Sequence, residues 1–166
     1  MNTPIAVVAR AAYSYMHQTG EIVYSMLQEA GFKPTNEVFD NAVLRAKYKK
    51  NDYGIDSTAN SYRFEPDQWY SVNVLSTAAS TKLRTGYHNE KVDKLIVQAR
   101  AVRDKAKRLE MYTDIESMVN EDCALIYTHA IPLTSAGTKK LKDYKPAFAG
   151  PFNISGGGVR TAYLER

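Results

Sequence analysis

Cys123 and His129 are the two residues whose side chains could form a nucleophile and its base. A thiol nucleophile needs a base within hydrogen-bond reach and electropositive surroundings that stabilise the thiolate. Cys123 instead follows Glu121 and Asp122, whose negative charges disfavour a thiolate. Cys123 also falls on the apolar side of a predicted helix end. We therefore predict a packed core thiol and no catalytic residue, and a thiol enzyme stays an alternative that rapid alkylation of Cys123 would support.

The histidines and glycines offer no pattern for a metal or a phosphate group. His17, His88 and His129 are widely spaced and lack the spacing of zinc ligands. The glycine run 156–158 is followed by neither a Lys-Ser/Thr pair nor a helix, so it is not a phosphate-binding loop. We therefore predict no metal and no cofactor.

The segment 82–108 is strongly basic. It holds nine basic and three acidic residues, a net charge of +6, whereas the whole chain carries +4. Such a segment can attract nucleic acid or another acidic partner. Its charges, however, interleave with apolar helix positions as they do on any surface helix. We favour a solvated helix face without nucleic-acid binding, and the alternative is a stand-alone basic module whose binding would depend steeply on salt.

Tyr62, Trp69 and Tyr70 form an aromatic group around the run Glu65, Pro66, Asp67. The stretch has no helical or strand periodicity, so it is predicted to be a loop between a strand and a helix. Aromatic and polar groups on such a loop suit a ligand cleft. The alternative is a loop that is fixed in place by its own aromatic side chains.

The elements that must position these residues alternate between strand and helix patterns, which indicates α/β architecture. Strands are predicted over 3–9, 32–39, 53–62 and 124–133. Asp40, Asn89 and Asp104 are predicted helix N-caps, and Thr19 is a fourth. The residues predicted to face the core are apolar and spaced as on one helix face, and they are Ile22, Val23, Met26, Leu27 and Ala30 in the first helix and Leu109, Tyr112, Ile115, Met118 and Val119 in the last.

Several short runs appear in an order that is typical of one protein family. They are LQEAGF at 27–32, NDYG at 51–54, EPDQWY at 65–70 and GYHNEKVDKLI at 86–96. The last is similar to the family pattern "gy.NpevDkLi", and EPD is similar to its "DPD" segment. By the joint order and spacing of these runs, residues 19–166 resemble the C-terminal part of the family 5 solute-binding proteins of peptide-type ABC importers.

The resemblance implies a fold and a function. These proteins have two lobes hinged around a cleft, lie outside the cytoplasmic membrane, deliver cargo to a permease and are not enzymes. We therefore expect an α/β fold with a small mixed sheet flanked by helices, like one lobe of a type II periplasmic-binding protein. Residues 1–166 would form a single domain with a C-terminal tail at 150–166, and the first lobe and the signal peptide would lie outside this chain.

The resemblance also implies partners. They are a peptide-like or other small polar ligand, the missing N-terminal lobe, and the ABC permease subunits that the full-length protein would meet. Surface that the first lobe would normally cover favours self-association.

The expected ligand contacts lie at the end of the third strand and in the loop after it. In peptide-binding members an aspartate four residues before the "DP" proline holds the ammonium group of the peptide. Counting back from Pro66 places Tyr62 at that position, and its neighbour Arg63 instead suits a carboxylate, phosphate or sulfonate group. The candidate contacts are Asn60, Ser61, Tyr62, Arg63 and Trp69.

Overall fold

The computed structural model describes residues 4–59, 65–130, 134, 136–145 and 162–165. The chain divides into two compact units, with the boundary between Leu125 and Ile126. The strands of the first unit are β1 (Ile5–Arg10), β2 (Pro34–Phe39) and β3 (Ile55–Ser57). Its helices are α1 (Ser14–Glu29), α2 (Asn41–Lys50), α3 (Pro66–Asn73), α4 (Ala79–Arg84), α5 (Glu90–Ala101) and α6 (Lys105–Glu121). The second unit contains β4 (Leu141–Lys142) and β5 (Tyr163–Leu164), which pair antiparallel.

The sheet of the first unit has the strand order β2-β1-β3, and β1 pairs parallel with both neighbours. Its central residues Val7, Val8 and Ala9 are completely buried. A parallel strand that is covered on both faces is expected to be continuously apolar, and the run AVVA fits that rule. The expected α/β class with a small sheet flanked by helices is therefore confirmed, although the three described strands of this sheet are all parallel.

Helices cover both faces of this sheet. On one face α1 approaches closely at Gly20, where a Cβ atom would lie 3.8 Å from the Cβ atoms of Ala9 and Ser57. On the other face Leu44 and Tyr48 of α2 pack against Val8. A second apolar cluster joins α3, α5 and α6, and its buried members are Tyr70, Val74, Val92, Ile96, Ala99, Tyr112, Ile115 and Val119.

Local sequence signals determine several of the helix ends. The side chain of Asp40 accepts hydrogen bonds from the amides of Ala42 and Val43 at the start of α2. Asn89 and Asp104 cap α5 and α6 in the same way, so the three predicted N-caps are confirmed. Gly31 follows α1 with φ +84°, a left-handed conformation that glycine adopts without strain.

The first helix begins earlier than predicted and turns a different face to the sheet. It starts at Ser14, and the hydroxyl of Thr19 donates to the carbonyl of Tyr15 within the helix, so the predicted cap at Thr19 is wrong. Met16 and Gly20 are the buried positions. Ile22 and Met26 are not among the positions that face the sheet and are 59% and 63% exposed.

Two expectations for α6 and the residues after it are also wrong. Leu109 is 65% exposed, because Arg108 occupies the packed position one helical turn before Tyr112. Cys123 is exposed rather than buried. The helix ends at Glu121 and Cys123 takes a left-handed φ of 52°, which removes its side chain from the helical face.

Two further expectations concern the C-terminal part of the chain. Residues 124–130 form no strand, and the remainder of the strand expected over 124–133 lies outside the described residues. The single domain at 1–166 with a tail at 150–166 stays a prediction. Nowhere in the described ranges is a helix long and apolar enough to cross a membrane.

The two faces of α6 make a testable pair. Ile115→Ala removes a completely buried side chain and should lower the free energy of unfolding by about 2–5 kcal/mol, because it leaves a cavity. Leu109→Ala removes an exposed side chain of the same size and should change it by less than about 0.5 kcal/mol. Urea unfolding followed by circular dichroism measures both. Equal losses for the two variants would contradict the orientation of α6.

Candidate ligand-binding site

The carboxyl ends of parallel strands meet at one edge of the sheet. In this sheet β1 ends at Arg10 and β3 ends at Ser57, so both strand ends lie at the same edge. Open α/β sheets bind their ligands in the crevice outside this edge. The residues expected to contact ligand at 60–63 follow β3 within six positions of the sequence, which makes this edge the candidate binding site.

The fold brings the charged side chain of Arg10 to this edge, where Asp40 also follows the end of β2 as the N-cap of α2. The side chain of Arg10 is half-buried, and its Nε atom is fully buried without a hydrogen-bond partner among the described residues. The backbone carbonyl of Arg10 accepts a hydrogen bond of 2.7 Å from Nε2 of His17. This bond joins the end of β1 to the first turn of α1. Arg10 was not among the candidates from sequence, although its position directly after the buried run of β1 could have indicated it.

Two aromatic side chains lie beside the end of β1. The rings of Tyr13 and Tyr15 have their centroids 5.6 Å apart, and Tyr13 is 42% exposed. Tyr13 is the N-cap residue of α1 and its side chain makes no capping hydrogen bond. The edge therefore presents a guanidinium group together with aromatic surface, a combination that suits a small ligand with an acidic group.

Of the expected ligand contacts, the structure describes one. The loop predicted around Trp69 and Tyr70 is wrong, because both residues lie in α3. Trp69 is half-buried, with its ring edge-on to Tyr70 at a centroid distance of 5.1 Å. Tyr70 in turn stacks on Tyr112 of α6 at 5.4 Å. Trp69 thus packs against the core of the helical cluster. The other four, Asn60, Ser61, Tyr62 and Arg63, lie outside the described residues, and all five stay predictions.

Two ion pairs attach the start of α3 to the long helices. Glu65, the N-cap residue of α3, pairs with Arg108 of α6. Asp67 in the first turn pairs with Arg100 of α5 at 2.8 Å and also accepts a hydrogen bond of 2.7 Å from Ser71. Pro66 occupies the first helical position, where its missing amide proton is not needed. Ion pairs therefore join the start of α3, from Glu65 onward, to α5 and α6.

Burial and neighbouring charge change the acidity of the tyrosine behind these ion pairs. The guanidinium of Arg108 lies 5.8 Å from the ring centroid of Tyr112. Burial raises the pKa of Tyr112, and the negative charge of Asp67 raises it further. Tyr112 is therefore neutral at physiological pH and acts here as a packed aromatic side chain.

The basic segment 82–108 is partly neutralised by ion pairs. Four of its nine cations have acidic partners, and the pairs are Arg84 with Asp56, Lys94 with Glu90, Arg100 with Asp67 and Arg108 with Glu65. Three of these partners lie outside the segment and come from β3 and the start of α3. The surface is consequently less basic than the sequence suggests.

No cluster of three or more side chains that could bind a metal ion occurs in the described ranges.

Comparisons with known proteins define the class of this fold. A scan against protein-family models finds no match. The chain is 27% identical over 139 residues to the probable D,D-dipeptide-binding periplasmic protein DdpA of Escherichia coli, an alignment that covers 79% of this chain and 26% of DdpA. The chain thus spans about a quarter of the length of this curated relative.

Solved structures show the same fold. A putative peptide-binding protein AppA from Clostridium difficile matches with a TM-score of 0.76 at 14% identity, over 99% of this chain and 34% of AppA. The periplasmic binding protein DppA from Helicobacter pylori, in complex with the peptide STSA, matches with a TM-score of 0.69 at 16% identity, over 99% of this chain and 32% of DppA. The resemblance to solute-binding proteins and to a periplasmic-binding-protein lobe is thereby confirmed.

Proposed function

We propose that this chain is a ligand-binding lobe of the substrate-binding component of an ABC importer. The observation that carries the proposal is its sequence relationship to DdpA, whose name describes a periplasmic dipeptide-binding protein. The shared fold with AppA and DppA supports it. The lobe captures its ligand non-covalently, with closure against a first lobe, and performs no catalysis.

The proposed ligand is a peptide-like or other small polar molecule that carries an acidic group. Arg10 supports this choice, because β1 ends at this residue and so brings its guanidinium group to the carboxyl edge of the sheet. A guanidinium pairs well with a carboxylate, through two parallel hydrogen bonds. Asn60, Ser61, Tyr62, Arg63 and Trp69 are the further proposed contacts, and Arg63 would contribute a second cation.

The proposed setting follows from the same relatives. Binding proteins of this class work outside the cytoplasmic membrane, so we place the whole protein there. Its partners would be the first lobe and the permease subunits of the importer. No cofactor is needed, because capture by lobe closure requires only differential affinity for the closed state.

Ligand binding can be tested with the single tryptophan of the chain, Trp69, as a fluorescent reporter. D-Ala-D-Ala with a free carboxylate should bind weakly, since one lobe supplies half of the cleft. Arg10→Gln should weaken this binding by about 10-fold or more, because a hydrogen bond to a charged group is lost. The unchanged chain should bind the C-terminal amide of the same dipeptide more weakly than the acid, by a similar factor.

The control is Lys33→Gln, which removes an exposed cation next to β2 at the opposite edge of the sheet. This variant should bind the dipeptide as the unchanged chain does. Two results together would contradict this role of Arg10. The unchanged chain would bind the amide as well as the acid, and Arg10→Gln would bind the acid as well as Lys33→Gln does.

Self-association is a second proposed property of the isolated chain. Ile22 and Met26 expose apolar surface on α1, and β2 pairs with one neighbour only in the described sheet. Exposed apolar surface and an open strand edge both favour association. Light scattering over a range of concentrations should show an increasing mean mass. A constant monomer mass at high concentration would contradict this property.

A further inference from the structure

A cluster of polar side chains lies where α2 and α4 meet the sheet. Four buried atoms in it lack a hydrogen-bond partner among the described residues, and they are the hydroxyl of Tyr48, Oδ1 of Asp56, Nε of Arg84 and Nε of Arg10. Each of the four comes from a different element, respectively α2, β3, α4 and β1. None of the contacts described for the proposed ligand accounts for all four together.

The cluster is held together by contacts around Tyr48. Nη2 of Arg84 forms an ion pair with Oδ2 of Asp56, and the guanidinium carbon of Arg84 lies 5.7 Å from the ring centroid of Tyr48. The ring of Tyr53 meets that of Tyr48 edge-on at 5.2 Å. The hydroxyl of Tyr53 donates to the backbone carbonyl of Arg84, which fixes the end of α4.

The charges of the cluster act directly on Tyr48. Burial raises the pKa of Tyr48 to about 12, and the negative charge of Asp56 is the next cause. Arg84 and Arg10 oppose this shift. Arg10 lies two residues after Val8, the register partner of Asp56, so Arg10 and Asp56 lie on the same face of the sheet. Tyr48 is therefore neutral at physiological pH and can both donate and accept a hydrogen bond.

These groups are too deeply buried for bulk solvent to satisfy them. Tyr48 is 3% exposed and the side chain of Asp56 is 9% exposed. Buried polar groups in folded proteins nearly always have a hydrogen-bond partner. The two Nε–H groups are donors, the carboxylate oxygen is an acceptor, and the hydroxyl is both. A water molecule accepts two hydrogen bonds and donates two, which matches this set.

We propose that one ordered water molecule binds in this cluster, accepts from Nε–H of Arg84 and Arg10, and donates to Oδ1 of Asp56 and the hydroxyl of Tyr48. This inference uses only the internal packing of the first unit, so it does not depend on the proposed function. The water connects β1, α2, β3 and α4, and thereby links α4 to the sheet.

Direct pairing is the competing arrangement. Arg84 could meet Asp56 side-on through Nε and Nη2, or Tyr48 could donate to Asp56 without an intervening water. Each arrangement alone satisfies two of the four atoms, and both together satisfy three and leave Nε of Arg10 buried without a partner. The water satisfies all four, and for this reason we favour it.

Oxygen-17 magnetic relaxation dispersion counts long-lived internal waters and can be applied to the 166-residue chain in solution. Tyr48→Phe should show one long-lived water fewer than the unchanged chain. The control is Tyr24→Phe, because the hydroxyl of Tyr24 accepts from Gln28 at the surface. This variant should show the same number of long-lived waters as the unchanged chain.

A high-resolution crystal structure of the unchanged chain provides a second test that does not require a variant to fold. It should show a water within hydrogen-bond distance of Tyr48, Asp56 and at least one of the two Nε atoms. A direct hydrogen bond between Tyr48 and Asp56 with no water in the cluster would overturn the proposal. An unchanged water count in folded Tyr48→Phe would also overturn it.

Discussion

The parallel pairing of β1 with both of its neighbours is the constraint on which the first unit depends. Parallel strands cannot be joined by a tight turn, so each connection must cross over a face of the sheet. Here α1 connects β1 to β2 and α2 leads from β2 to β3. The two helices cover opposite faces of the sheet and exclude water from Val7, Val8 and Ala9. The same constraint brings Arg10 and the end of β3 to one edge.

The close approach of neighbouring segments supports this arrangement. The amide of Gly54 donates to the carbonyl of Ala6 at 2.9 Å just before β3 begins. A Cβ atom at this position would lie 2.9 Å from Cγ2 of Ile5 and 3.3 Å from the backbone nitrogen of Ala6. Glycine is therefore needed for β3 to join β1 in this register. Beyond β3, the ion pairs of Glu65 and Asp67 attach the chain to the helical cluster.

Sequence patterns predicted the features that depend on neighbouring residues. Asp40, Asn89 and Asp104 are correct caps because each side chain bonds to amides only two or three residues away. The patterns failed where a helix begins or ends at a different residue from the one predicted. Thr19 has the chemistry of a cap, but its hydroxyl finds a carbonyl within α1. Cys123 was placed on a helical face that ends two residues before it.

The orientation of α1 and the location of Arg10 were similarly beyond local patterns. Sequence periodicity places Ile22 and Met26 inward, yet the contact of Gly20 with Ala9 and Ser57 determines which face meets the sheet. The same long-range pairing brings Arg10 to the edge that we propose as the binding site. Motif order in the sequence was sufficient for the fold class, because it reflects many elements at once. Single site residues depend on contacts between strands that the sequence does not specify locally.

We propose that the ligand binds at the carboxyl edge of the parallel sheet. Nuclear magnetic resonance of the isotope-labelled chain, titrated with D-Ala-D-Ala, tests it directly because the method detects weak binding residue by residue. We expect the amide shifts to change at the end of β1, at the start of α1 and around Ser57. Changes confined instead to the exposed lysines of α5 and α6 would contradict it.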